Sequence, residues 1–347
     1  MAKIVGHLTV FTTLSQFAKD AAEPLAGPTI WTIHATLLVT KTKNKYQHRN
    51  ITSLTLCTIL KMAEQTPVWF ITAASSGFGH YLALEALARG HHVIASGRTV
   101  SKLDALKKAG AHTVALDVIS PLDDIKKVAK DAVAKYGYIT HLVNAAGYVL
   151  VGAVEETSPT EDYDSFNTNV IGVLNVTKAF LPYLRDGSGH RTICNFGSIA
   201  SWTGGPGAAL YYSAKWAVSG LSEALREEVA PFGIAVTVAE PGYFRTGFLN
   251  PGAAVQSKAR IQAYEESAAG RRGGAGRGGW EADGDVGKGC KILVDILTKS
   301  GVGEGKEVPV RVALGSDSPP AIREKIRQTE KLLDEWEGVT MATDHED

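Results

Sequence analysis

The chain has 347 residues, of which 44% are hydrophobic and 21% charged, an ordinary globular composition with enough apolar material for a sizeable core. Lys plus Arg and Asp plus Glu number 36 each, so the net charge is zero and gives no basis for electrostatic capture of nucleic acid or of an anionic membrane. Cys57, Cys194 and Cys290 are far apart and form no C-x-x-C, which argues against a disulfide framework or a zinc site and fits a reducing, cytoplasmic compartment. No run reaches the roughly 18 apolar residues of a membrane span, and no secretory signal is recognisable at the start.

Residues 1–61 differ from the rest: they are rich in Thr and Lys, hold only Asp20 and Glu23 as acidic residues, and keep no steady period. They read as an extension, a targeting segment or a mistaken gene start, and are expected to be poorly ordered. Met62 reads as the natural start of the folded part. From residue 67 strands and helices alternate. Val68–Thr72 is a short apolar strand, followed by a Gly-containing turn and a helical period over Phe78–Arg89, with Gly90 as its stop. His92–Ser96 is a second strand, Ser101–Ala109 a short helix, and Val114–Asp117 a third strand. Leu122–Tyr136 is a helix entered through Pro121, and His141–Asn144 a fourth strand. A long helix is predicted from about Tyr163 to Arg185, a strand at Thr192–Phe196, a helix at Tyr211–Phe232 and a strand at Ala235–Ala239. A helix at Gly287–Ser300, a seventh strand at Val308–Ala313 and a charged helix from Ala321 to Trp336 complete the pattern.

This alternation argues for an α/β fold: a Rossmann-type doubly wound, seven-stranded parallel sheet with helices on both faces, in a single domain over 62–315, with a C-terminal helix and tail at 316–347. In such sheets ligands bind beyond the carboxyl ends of the strands. The run Gly270–Gly279 reads as a mobile surface loop, with an arginine–glycine RNA-binding element as the alternative.

Two sets of residues fall at those strand ends. In Thr72-Ala-Ala-Ser-Ser-Gly-Phe-Gly79, Gly77 and Gly79 let the backbone come close to a diphosphate, and the following helix start points unbonded N–H groups at it. Ala73 stands at the first glycine position, where a methyl is tolerated if the local φ is negative. Strand two ends in Gly97-Arg98. The small Gly97 leaves room for a ribose 2′-phosphate, and Arg98 offers a two-pronged contact to it, where an NAD site would place an acid. The second set is Tyr211 and Lys215, four apart on one helical face, a spacing that lets an ammonium act on a phenol whose ordinary pKa is about 10. Ser198 lies 13 residues before Tyr211, just after a strand, and can hydrogen-bond an oxygen on which charge develops.

The spacing of the first turn, Asn144-Ala-Ala-Gly147, Ser198, Tyr211/Lys215 and Pro241-Gly-Tyr-Phe-Arg-Thr246, in this order, resembles the classical branch of the short-chain dehydrogenase/reductase family over roughly 66–315. The resemblance implies a Ser-Tyr-Lys oxidoreductase that moves a hydride between NADP(H) and a small carbonyl or alcohol substrate, needs no metal and forms a homodimer or homotetramer through the helices of Asn169 and Tyr211. It places Thr72, Ser75, Gly77, Phe78, Gly79, Arg98, Asp117, Asn144, Gly147, Pro241, Gly242, Phe244 and Thr246 around the cofactor, with Tyr211 and Lys215. Asp117 would meet the adenine. Asn169 would kink its helix and hold a water that links to Lys215. Residues 245–283 would form the substrate lid, where Tyr243, Phe248, Leu249 and Tyr264 suggest an apolar wall. The tail Val312–Asp317 and the helix after it resemble a hydroxysteroid-dehydrogenase-like subgroup. A non-catalytic NADP(H)-binding sensor or scaffold would keep the phosphate turn and lose Tyr211 or Lys215; both are present.

Overall fold

The computed structural model describes residues 65–249, 254–267, 269 and 283–345. The extension 1–61, with Cys57, and the run 270–279 lie outside them. The central sheet has seven parallel strands: β1 (Val68–Ile71), β2 (His92–Gly97), β3 (His112–Ala115), β4 (His141–Asn144), β6 (Arg191–Phe196), β7 (Ile234–Pro241) and β9 (Arg311–Leu314). Their order is β3-β2-β1-β4-β6-β7-β9. The chain runs outward one way from β1 and the other way from β4, so the topological switch falls between these two strands. A separate pair, β5 (Val149–Val151) with β8 (Ala254–Gln256), was not foreseen from the sequence. Three-residue strands carry too little pattern to be seen.

Strand β1 shows why the sheet is covered on both faces. All four of its residues are buried. Trp69 and Ile71 point into one core layer with Leu82, Leu103 and Leu293, and Val68 and Phe70 into the other with Ile125, Leu142 and Phe180. The first layer is closed by α1 (Gly77–Ala88), α2 (Asp104–Lys108) and α8 (Val286–Thr298); the second by α3 (Leu122–Tyr136), α5 (Gly172–Arg185) and α6 (Ala209–Val229). Helix ends follow local chemistry. In α3 the first turn carries Asp123 and Asp124, and Gly137 stops it at φ 82°. A capping box from Ser158 to Glu161 starts α4 (Pro159–Phe166). A one-turn α7 (Gln262–Glu265) lies in the lid region, and α9 (Ser318–Thr340) ends the fold.

The predicted helix 163–185 is longer and is interrupted. Between α4 and α5 the residues Asn167–Ile171 form one turn of π-helix. A π turn inserts a residue without breaking the apolar stripe, so periodicity does not reveal it. The predicted start of the last strand at Val308 is too early, because only Arg311–Leu314 pairs with β7. Strand three ends at Ala115, before Asp117. Among the described residues no helix is long and apolar enough to cross a membrane, and no cluster of three His, Cys, Asp or Glu could hold a metal ion.

Candidate active site at the carboxyl ends of the strands

The turn after β1 is built for close approach. A Cβ on Gly79 would lie 2.9 Å from the Ala73 carbonyl oxygen and 3.0 Å from that of Thr72, so only glycine lets α1 start against the strand end. Gly77 has φ 55°. Ala73 also sits in the left-handed region, at φ 50°, contrary to the condition under which its methyl was expected to be tolerated. Ala74 N–H, donated at 2.9 Å to Ser96 of β2, helps to hold the turn in that conformation. Ser76 precedes α1 but its side chain does not cap it, and the first turn has no acidic residue. The helix N-terminus therefore keeps its N–H groups and positive dipole end for an anion. Ser75 is exposed beside it.

Thr72 is a clamp. Its hydroxyl accepts from the N–H groups of Ala145 (2.9 Å) and Ala146 (3.2 Å), tying the end of β1 to the chain that follows β4. Asn144 donates through Nδ2 to Asn195 Oδ1 at 2.8 Å and to Thr177 Oγ1 at 3.0 Å, and Asn195 donates in turn to Ser222 at 2.9 Å. This buried polar ladder crosses from α5 through β4 and β6 to α6. The partners of Asn144 come from two elements 33 and 51 residues away, so spacing along the chain could not show them.

Arg98 is exposed, with no hydrogen-bond or ion-pair partner among the described residues. A Cβ on Gly97 would meet only Leu103, at 3.7 Å, so the end of β2 has room. Asp117 accepts from Ile119 N–H at 3.3 Å and caps its own turn. The Phe78 and Phe244 rings lie 5.0 Å apart, with Phe196 5.2 Å from Phe78, and the three make an aromatic plug under the site. Both rings are half-buried and packed on one another, which fixes their orientation below the site. Thr246 accepts from Phe248 N–H at 3.3 Å. Pro241 ends β7 opposite Leu314, and Gly242 leaves room for Asp317, whose carboxylate a Cβ there would strike.

The second set of residues converges. Lys215 is buried; its Nζ donates to the Phe196 carbonyl at 2.7 Å and lies 5.6 Å from the centre of the Tyr211 ring. The Tyr211 phenol lies beside the Ser198 side chain, which favours its ionised form. Ser198 is buried after β6, where its hydroxyl accepts from Ala200 N–H at 3.2 Å. Ser201, the neighbouring serine, instead accepts from Ser198 N–H and donates to the Lys215 carbonyl at 3.1 Å, so it holds the turn rather than facing the phenol. Burial pushes the Tyr211 phenol up to about 12, with the neighbouring Ser198 side chain acting the other way, and burial brings Lys215 down to about 8. Protein groups alone thus leave the phenol protonated; the expected lowering by Lys215 is not among the influences on it, and burial dominates.

Asn169 lies in the π turn and is fully buried. Its Oδ1 accepts from Tyr148 N–H at 3.1 Å, and its Nδ2 donates to the carbonyls of Tyr148 (3.1 Å) and Ser165 (3.0 Å). Gly147 passes between Asn169 and Lys215: a Cβ there would lie 2.5 Å from Asn169 Oδ1 and 3.6 Å from Lys215 Nζ. From the lid, the Phe248 ring stands 6.0 Å from that of Tyr211. Tyr243 is exposed, and Tyr264 donates to Glu155 at 2.9 Å, away from the phenol; the side chain of Leu249 lies outside the described residues.

One group at the site was given no role by the sequence reading. Glu240, buried at the end of β7, accepts from Trp202 Nε1 at 2.7 Å, from Arg311 at 2.8 Å and from Ser219 at 3.3 Å. Burial raises its pKa. It ties the Ser198 turn, α6 and β9 together. A Cβ on Gly197 would lie 3.3 Å from Glu240 Cγ and 2.6 Å from Val238 Cγ1, so a serine does not fit at 197. The available signal was a carboxylate closing an otherwise apolar strand.

Comparison with known proteins agrees with this architecture. Residues 67–255 match the model of the short chain dehydrogenase family. Oxidoreductase BOA17 of Botryotinia fuckeliana is 33% identical over 288 residues, which cover 80% of this chain and 99% of that protein. The crystal structure of a short-chain dehydrogenase from Streptomyces avermitilis superposes with a TM-score of 0.73 at 36% identity, covering 81% of this chain and all of that one. Two more distant structures share the fold. A protein from Burkholderia phymatum in complex with NAD has a TM-score of 0.64 at 20% identity, over 78% of this chain and 95% of its own. One from Burkholderia cenocepacia in complex with NADP has a TM-score of 0.59 at 21% identity, over 78% and 97%. The chain belongs to the short-chain dehydrogenase family, a family of oxidoreductases.

Proposed function

We propose that the protein is an NADP(H)-dependent oxidoreductase that reduces a ketone or aldehyde to an alcohol, or runs the reverse, with Ser198, Tyr211 and Lys215 as its catalytic residues. The observation that carries this is the convergence of the three side chains: Ser198 beside the buried Tyr211 phenol, and the Lys215 Nζ 5.6 Å from the centre of the same ring. The bound nicotinamide would supply or accept the hydride.

The residues present fit such a dinucleotide. Gly77, Gly79 and the uncapped start of α1 form a cradle that a Cβ on Gly79 would fill, and the diphosphate would lie there, beside Thr72 and Ser75. Arg98, unpartnered among the described residues at the end of β2, would take a 2′-phosphate, which favours NADP over NAD. Asp117, Asn144, Gly147, Pro241, Gly242 and Thr246 would border the remainder, with the backbone of Phe78 and Phe244.

Tyr211 donates its proton to the carbonyl oxygen, a role suited to a phenol held protonated by burial. Ser198 donates a hydrogen bond to the same oxygen as charge builds on it. Lys215 is fixed by the Phe196 carbonyl and offers its remaining protons to the ribose and to a water. Asn169 holds Tyr148 and Gly147 in place, and a water near it would return the proton towards Lys215. Phe248 beside Tyr211 supports an apolar substrate, in keeping with the hydroxysteroid-dehydrogenase-like resemblance. Buried free thiols at Cys194 and Cys290 are in keeping with a cytoplasmic protein.

The test is a rate screen over apolar ketones, aldehydes and quinones with NADPH and NADH, alongside fluorescence titration of both cofactors. Tighter NADPH binding is expected. Replacing Arg98 with Ala should weaken NADPH about 10- to 100-fold, the worth of a charge-assisted hydrogen bond, and leave NADH nearly unchanged. Tighter NADH binding by the parent would overturn the cofactor choice.

A further inference from the structure

Among the described residues, nothing covers an apolar face on the distal turns of α9. Leu333 is 64% exposed, Trp336 54% and Val339 65%, while nearer the body Ile326 is 43% exposed. Ile322, Ile326, Thr329, Leu333, Trp336 and Thr340 are spaced four and three in alternation, which puts them along one seam of the helix. The proximal half of this seam borders a groove of about 230 Å³ lined by Trp202, Trp216, Lys325, Ile326, Thr329 and Glu330.

Charge along the helix is segregated. Arg323, Lys325 and Arg327 stand against Glu324 alone in the first half. Glu330, Asp334, Glu335 and Glu337 stand against Lys331 alone in the second. This order opposes the helix macrodipole, and the last turn has no basic residue to offset it, so it does not serve the isolated helix. It is the order that an antiparallel copy of the same helix would neutralise.

We propose that α9 is a self-association element, pairing antiparallel with α9 of a second copy of this chain. Centred near Lys331, the pairing sets Ile326 opposite Trp336 of the partner subunit and Thr329 opposite Leu333 of the partner subunit. The partner's Trp336 then enters the groove beside Trp202 and Trp216, and each basic stretch 323–327 lies along the other copy's acidic stretch 334–337. Twofold symmetry repeats every contact, as an isologous interface requires. The occupant is a second copy because one helix supplies both the seam and both halves of the charge pattern.

Sedimentation velocity of the full-length protein is the test, with melting temperature as the folding control. The Leu333→Glu, Trp336→Glu double variant should halve the assembly mass without lowering the melting temperature, because both side chains lie outside the core. Reversing the basic stretch (R323E, K325E, R327E) should also halve it, as should reversing the acidic one (D334K, E335K, E337K). Mixing the two reversed proteins should restore the parental mass as a one-to-one assembly. The proposal is overturned by a full-length chain that is monomeric at tens of micromolar. It is equally overturned if the parental mass survives the Leu333→Glu, Trp336→Glu pair, or if the mixture of reversed variants fails to associate.

Discussion

The two ends of the central sheet both bury titratable groups, and they use them differently. At the amino ends His141 is stacked on Trp69, with ring centres 4.2 Å apart, and Trp69 donates to His91 at 3.1 Å. His141 and His190 both bond the Leu297 carbonyl, at 3.2 and 2.7 Å. Burial lowers His141 to about 3, and it stays neutral. The ring nitrogens that bond do so within the protein, to Leu297, to Thr140 and to Trp69. At the carboxyl ends Tyr211 and Lys215 are also displaced by burial, yet the N–H groups at the start of α1 and the Arg98 guanidinium are left for something else. A displaced pKa alone therefore does not mark a site; displaced groups beside unspent donors at a topological switch do.

The contrast is open to attack at each end. Removing the phenol in Tyr211→Phe should lower turnover by about 10²- to 10⁴-fold, the usual worth of a positioned general acid, with the melting temperature unchanged. A variant as active as the parent would show that the carboxyl-end groups are as inert as the histidines. The opposite result is expected for His141→Asn: activity per folded molecule retained, stability altered. The sign at His141 is fixed by its lowered pKa. Below about 6.5 the unfolded chain takes up a proton that the folded one refuses, so stability falls with falling pH down to about 3. By pH 5, one and a half units below the unfolded value, the loss is about 2 kcal/mol, at 1.36 kcal/mol per unit. Urea unfolding at pH 7.5 and pH 5 checks it, and His141→Asn should shrink the difference by about that amount, leaving the part due to His91, His112 and His190, whose values burial also lowers.

Smaller effects sharpen the carboxyl end. A methyl at position 147 would lie 2.5 Å from Asn169 Oδ1. Gly147→Ala should therefore lower stability by about 1–3 kcal/mol through overpacking and reduce turnover by displacing Asn169, read by unfolding and by steady-state rates. Ala73→Gly should stabilise by about 1 kcal/mol, since it removes the Cβ from a left-handed conformation. A fall in melting temperature there would show that the turn gains more from the methyl than the conformation costs.

Five of the seven sheet strands were legible in place, and β3 two residues early of its predicted span, because apolar runs and helical periods are local. The seventh, β9, was recognised but started too early, since its extent depends on where β7 stops pairing. The Tyr211–Lys215 face was legible for the same local reason. The π turn at Asn167–Ile171, the left-handed Ala73 and the β5–β8 pair were not, because each is imposed by partners distant along the chain.

The sequence by itself determined which segments are strands and helices, the glycines at 77 and 79, and the four-residue interval that puts a phenol and an ammonium on one side of a helix. Only the tertiary structure decided that Ser198 meets that phenol, that Glu240 binds three elements together, and that Phe78 and Phe244 pack as a plug. The reason is physical: a periodic pattern repeats over a few residues and can be read in place. A hydrogen bond across tens of residues, or a pKa moved by burial, exists only once the chain has brought its strand ends together.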